Sequence, residues 1–351
     1  MGAGRLLQKR KIRHQFIRKP NMGKIIYVPL EHIEGRYTVH MDRDILNYLN
    51  VNNVPFVRVY PAAGEPAGLP EGCFLNAAFT SKFKSLQMAE IASMYERGEV
   101  SDNDVFFFSD IWFPGIESIA YMNYFHKVNA KITGVVHAGS FTDTDFVRDM
   151  ERWAKNFEDM VFDISDKVFC ASNFIRNDIL KKRMVQSEKL IVSGLPLDFV
   201  GLDMHLGTEK DNIVIFNGRL CDEKQPWLFD ELARQVSKKL DFPVKFLKTQ
   251  EMNLDKDNYY NIVAKSKCAV SYALQENFGF GMAEAAYLGC NVILPNRLVY
   301  PELYPKEFLF DRFEESIDMV CDALTNTTGS ESYKIKNNCF DVWFGEHTHG
   351  K

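Results

Sequence analysis

The chain has 351 residues, of which 46% are hydrophobic and 25% charged, a globular composition that excludes a disordered, low-complexity or disulfide-dense class. No apolar run approaches the ~20 residues needed to cross a bilayer, and the basic N-terminus lacks the apolar stretch of a secretory signal, so a cytoplasmic location is expected. The net charge of −5 is uneven: residues 1–24 hold eight Lys and Arg and no acid, leaving −13 on the rest.

The basic arm, residues 1–23, implies an anionic partner, unless it is a solvated tail with Met22 as a later start. Lys24–Leu30 then predicts a first strand, Val39–Leu49 a helix and Pro55–Tyr60 a second strand. Three prolines and three glycines in Pro61–Gly72 predict a surface loop. Ser81–Arg97 reads as a helix, Asp104–Phe108 as a strand, Ile116–Val128 as a helix and Lys131–His137 as a strand. A long helix follows over Asp143–Phe162, then a strand at Lys167–Ala171, a helix at Asn173–Lys182 and a strand at Lys189–Ser193. The second half restarts the pattern. Strands are predicted at Asn212–Phe216, Val244–Leu247, Cys268–Ala273 and Asn291–Leu294. Helices are predicted at Gln225–Leu240, Tyr259–Lys265, Gly281–Leu288 and Glu314–Leu324.

Continuous apolar strands alternating with helices imply parallel sheets covered on both faces. The fold class is therefore α/β, with two doubly wound, Rossmann-like domains: residues 24–198 and 199–330, with a boundary near Asp198–Asp211. Residues 331–351 are expected to pack back on the first domain, anchored by Trp343 and Phe344. Ligands of such sheets bind beyond the carboxyl ends of the strands, here in the cleft between the domains. Seven cysteines, with no C-x-x-C pair, fit a reducing compartment and no zinc site.

The segment Ser271–Pro295 carries chemistry. Phe278, Gly279, Phe280 and Gly281 form a glycine turn ahead of a helix, framed by Glu276 and Glu284. Glycine allows a tight turn and close approach of a ligand to the backbone. The helix start offers N–H groups and a positive dipole end to a diphosphate. One turn into the helix, Glu284 can accept hydrogen bonds from a ribose diol. A second cluster, Gly218-Arg219 and Lys224, places cations at the head of the next helix. There they can stabilise charge developing on a departing phosphate, or simply pair with Asp222 and Glu223.

These residues resemble the donor site of retaining, family-4-type glycosyltransferases of the GT-B fold, specifically over Asn212–Pro295. The likeness is weaker through Val135–Gly139 and Val168–Arg176, where Ser172 and Arg176 match a turn before an N-domain helix. The resemblance implies a nucleoside-diphosphate sugar as donor, a UDP-sugar first, with no bound cofactor and no metal. Arg219, Lys224 and backbone near Phe280 and Gly281 would hold the diphosphate. Glu284 would hold the ribose and Glu276 the transferred sugar, with His137 contacting that sugar from the opposite domain. Asp143 and Asp145 have a D-x-D spacing but read as an N-cap and first-turn acid.

The turn after the first strand, Pro29–Thr38, departs from the family's glycine-rich pattern, so Glu31, Glu34 and Arg36 are expected to face the cleft. A faint similarity to bacteriophage glycosyltransferases implies a hydroxymethylated pyrimidine in DNA as acceptor. Double-stranded DNA would engage the arm through its phosphates, with Phe16, Phe56, Trp112 and Phe113 as a stacking surface; as a core or loop anchor, Trp112-Phe113 has a plainer reading. Glycan or lipid-linked acceptors are the alternative, the arm then meeting anionic lipid. A non-catalytic nucleotide- or nucleic-acid-binding protein and a sugar-nucleotide epimerase are other classes this architecture serves.

Overall fold

A computed structural model describes residues 23–33, 36–62, 64, 76–145, 147–325, 332–335 and 338–348. The basic arm with Phe16, Glu34, Cys73 and most of the expected loop at Pro61–Gly72 lie outside the described residues.

Six parallel strands form the first sheet: β1 (Ile25–Val28), β2 (Phe56–Arg58), β3 (Val105–Phe108), β4 (Lys131–Val136), β5 (Lys167–Cys170) and β6 (Leu190–Val192). Their order is β2-β1-β3-β4-β5-β6, and the register sets Tyr27 beside Phe107 and Val135 beside Phe169. The second sheet contains β7 (Asp211–Phe216), β8 (Lys245–Lys248), β9 (Ser266–Val270), β10 (Asn291–Pro295) and β11 (Leu309–Phe310), in the order β11-β10-β9-β7-β8. The central strands IIYV and VFFF are buried at every position, as a parallel sheet with helices on both faces requires.

Both sheets reverse their winding once. β2 lies on one side of β1 and β3 on the other; β8 lies on one side of β7 and β9 on the other. At each reversal two successive loops leave in opposite directions and open a crevice at the strand ends. The two crevices face each other, and an apolar cluster running from Ile25 and Phe107 through Leu197 and Tyr260 to Phe344 joins the two units beneath them.

The helix expected over Asp143–Phe162 begins only at Glu151, after a 3-10 turn at Arg148–Met150. The reason is local. The Asp143 carboxylate binds Lys182 Nζ at 2.8 Å, and Asp145 Oδ1 accepts from the Val147 N–H at 3.1 Å, a turn that competes with helix initiation. Neither aspartate caps the helix. The segment instead reaches across the cleft, where Thr144 Oγ1 donates to the Leu274 carbonyl at 3.1 Å. The helix expected from Ser81 starts earlier, at Ala77, because Asn76 Oδ1 accepts from the Phe79 N–H and supplies a cap. Short helices at Phe199–Asp203 and Tyr300–Leu303 and the two-residue β11 are too brief to show a period in sequence.

The helix Cys339–Phe344 lies on the first unit. The Phe344 ring stands 4.6 Å from that of Phe107, and Trp343 Nε1 donates to Ser193 Oγ at 2.9 Å. Among the described residues, no helix is long and apolar enough to cross a membrane. The described cysteines are all free thiols.

Trp343 is buried with its indole N–H satisfied. Trp343→Ala is expected to remove about 3 kcal/mol of stability, read as a lower urea midpoint for the first unit.

Candidate functional site

The loop after β9 and the helix Phe280–Tyr287 build one side of the cleft. Gly279, at the N-cap, has φ +79°, and a Cβ there would stand 3.3 Å from the Tyr300 ring and 3.4 Å from Glu276 Cγ. This is a position for glycine. A Cβ on Gly281 would meet Asn217 at 3.0 Å. Behind the helix start, Glu276 Oε1 accepts from the Gly279 N–H at 3.0 Å and Oε2 lies 3.1 Å from Lys224 Nζ. Lys224 is only 8% exposed and also donates to the Gln275 carbonyl. Gly218, Lys224, Glu276, Gly279 and Gly281 thus enclose one small hollow at the helix N-terminus. Its N–H groups have no intrahelical acceptors, so hollow and helix end together suit a phosphate. Arg219 does not line the hollow; its half-exposed side chain pairs with Glu223. Phe278 is buried with its ring 5.1 Å from that of Phe280.

A cavity of about 430 Å³ adjoins the hollow and is lined by Asn217, Lys256, Tyr259, Phe280 and Glu284. Glu284 is 3% exposed and surrounded by donors: Lys256 Nζ at 2.8 Å, Tyr259 Oη at 3.0 Å and Tyr260 Oη at 3.2 Å. A carboxylate has about four acceptor positions, so a ribose hydroxyl can still be received there. Burial and the Glu284 charge push the Tyr259 phenol well up, which keeps it a donor. Lys256, Tyr259 and Asn217 had no motif to mark them; only the fold brings the helix Lys256–Lys265 against Glu284.

The first unit contributes a cavity of about 440 Å³ at the ends of β1, β3 and β4, lined by Glu31, Arg36, Lys84, Asp110, Trp112 and His137 among others. His137 Nε2 donates to the Ser109 carbonyl at 2.7 Å, so its Nδ1 keeps the lone pair when the ring is neutral. Desolvation lowers the His137 pKa from its ordinary value. The His137 carbonyl accepts from Asn277 Nδ2 at 2.7 Å, and Ser172 Oγ donates to the Asn277 carbonyl at 3.2 Å. Asn277, inside the loop framed by Glu276 and Gly279, therefore bonds to the first unit through both its side chain and its carbonyl. No local pattern marks it, because its partner is 140 positions away. Arg176 holds the Leu190 and Ser187 carbonyls.

Arg36 and Tyr37 line both large cavities, and the Tyr37 ring stacks on Phe280 of the other unit at 5.0 Å and 13°. The two chambers meet at this seam. The expected stacking surface is not continuous: Phe113 is buried, Phe56 packs on the core, and Trp112 stands in the first cavity against Phe157.

No protein-family model matches the chain. Over 101 residues it is 36% identical to the tRNA-queuosine alpha-mannosyltransferase of Drosophila melanogaster, a match covering 28% of this chain and 25% of that relative's length. Among solved structures, sucrose-phosphate synthase from Thermosynechococcus elongatus superposes with a TM-score of 0.57 at 11% identity, covering 87% of this chain and 90% of that one. HepE of Anabaena, in complex with UDP and glucose, gives 0.54 at 13% over the same shares. The lipopolysaccharide outer core galactosyltransferase WaaB gives 0.55 at 10%, over 92% and 98%. The chain has the GT-B fold: two parallel-sheet α/β units facing a cleft.

Because the folded-state pKa of His137 is depressed, its neutral form contributes stability above the unfolded value of about 6.5. That contribution is lost as pH falls from there toward the folded pKa, since only the unfolded chain takes up the proton. Replacing His137 with Gln is expected to flatten the fall in urea midpoint between about pH 6.5 and 5, measured against wild type in the same buffers.

Proposed function

We propose that this protein is a glycosyltransferase moving a sugar from a nucleoside-diphosphate sugar to a hydroxyl on a modified nucleoside of a nucleic acid. The observation that carries the donor half is the convergence of Lys224, Glu276 and the glycine-started helix in one hollow, with His137 across the cleft. The diphosphate would lie on the Phe280–Tyr287 helix N-terminus, exchanging the Glu276 partner of Lys224 for a phosphate oxygen. The nucleoside would fill the chamber of Asn217, Tyr259 and Glu284. The sugar would sit between Glu276 and His137, in front of the seam at Tyr37.

The reaction breaks the bond from the anomeric carbon to the phosphate oxygen and forms one to the acceptor oxygen. The acceptor proton goes to the departing phosphate. Fixed positive charge from Lys224, Arg219 and the helix end stabilises the phosphate as it leaves. Attack from the face of the departing phosphate would give retention, the outcome that the resemblance to retaining enzymes implies.

The nucleic-acid acceptor rests on two supports. One is the local identity to an enzyme named for tRNA-queuosine. The other is the run of seven cations in residues 1–23, which suits a polyanion. A hydroxymethylated pyrimidine in DNA, the acceptor that the phage-enzyme similarity implies, meets the same requirements and belongs in the same test.

The test is transfer read by mass spectrometry of digested nucleosides, using a panel of nucleotide sugars with queuosine-containing tRNA and with hydroxymethylated DNA. A gain of one sugar mass is expected on one acceptor. Glu276→Ala is expected to lower transfer by about 100-fold or more, and wild-type turnover by that variant would remove Glu276 from the reaction. Lys224→Ala is expected to weaken UDP binding about tenfold, measured by calorimetry; unchanged affinity would remove Lys224 from the diphosphate site.

A further inference from the structure

Glu31 is the exceptional residue of the first-unit cavity. It follows β1 in the turn where the resemblance leads one to expect glycine, and it is 5% exposed. Its Oε1 accepts from Thr80 Oγ1, while Oε2 is buried with no hydrogen-bond partner among the described residues. Among the described residues, no Lys, Arg or His reaches it at ion-pair distance. Lys84, in the same cavity, is committed elsewhere: its Nζ donates to the Trp112 carbonyl at 2.7 Å and stands 3.4 Å from Asp110.

A carboxylate only accepts, so whatever meets Oε2 must donate a hydrogen bond. A buried charge without a partner is strongly unfavourable, and a cationic donor answers both demands where a neutral hydroxyl answers one. Asp110, with one oxygen taken by the Trp112 N–H at 3.1 Å, lines the same cavity, as does the Arg36 guanidinium, so the wall is of mixed charge and the demand for a donor comes from Oε2 itself. The indole of Trp112 and the ring of Tyr37 supply flat aromatic surface beside it, which favours a planar body and a cation together.

We infer that Glu31 selects the acceptor, and that the group seated against it is a protonated amine on the modified base. The amine anchors the base against Glu31, so that its receiving hydroxyl turns toward His137 and the Tyr37 seam. This rests on the transferase reading above, and it concerns the acceptor alone.

Calorimetry on the full chain in the presence of UDP tests it with two matched nucleoside pairs. They are 7-aminomethyl- against 7-hydroxymethyl-7-deazaguanosine, and 5-aminomethyl- against 5-hydroxymethylcytidine. In wild type, the amine of at least one pair is expected to bind tenfold or more tightly than its neutral isostere. Glu31→Gln, which can keep the bond to Thr80, is expected to abolish that preference. Equal binding within both pairs, no binding of any probe at millimolar concentration, or an undiminished preference in Glu31→Gln would each overturn the inference. The wild-type comparison needs no variant, so it stands even if the substitution unfolds the chain. UDP affinity, measured first in the same titrations, reports the donor site independently. A chain that binds no UDP refutes the donor reading, whereas one that binds UDP but shows no amine preference refutes only the role of Glu31.

Discussion

Two sheets buried on both faces leave polar chemistry nowhere to go but the strand ends. Strands such as Val105–Phe108 are buried at every residue, so no side chain within them can meet a ligand. The single reversal of winding in each sheet, at β1/β3 and at β7/β9, then decides which ends are open. Glu31, Asp110 and His137 come from the first reversal and its neighbour β4; Gly218, Lys224 and Glu276 come from the second. Every candidate side chain owes its place to that constraint, and the apolar cluster shared by both units keeps the two openings opposed.

Within the cleft, charge is arranged in pairs that a ligand can replace. Lys224 holds Glu276, Lys256 holds Glu284, and Arg219 holds Glu223. Lys224 is buried, and a buried cation left alone would be expensive without an acid to compensate it. Phosphate and hydroxyl groups of the proposed donor match the same geometry, since a phosphate oxygen replaces a carboxylate and a ribose hydroxyl donates to one. Glu31 differs from this pattern, because its second oxygen has no partner among the described residues.

The units are held in register by few polar contacts. Asn277 reaches the His137 carbonyl, Ser172 reaches the Asn277 carbonyl, Thr144 reaches Leu274, and Glu302 accepts from Asn173 and Phe174. Three of these attach to the loop that carries Glu276. Movement of one unit against the other would therefore also shift the loop that is proposed to hold the sugar.

The sequence by itself determined the two sheets, because apolar runs of four to six residues between amphipathic helices have only one way to be buried. It also marked Glu276, Gly279, Gly281, Glu284, Gly218, Arg219 and Lys224, which lie within 67 positions and announce themselves by glycine spacing and charge. Tertiary structure alone decided the rest. Asn277 and His137, Tyr37 and Phe280, and Lys256 and Glu284 meet only after folding, and nothing in a local pattern encodes a partner on another strand end. The Asp143 turn shows the same limit from the other side. Its sequence reads as a helix start, but Lys182 and the Leu274 carbonyl offered stronger partners than the first turn of a helix.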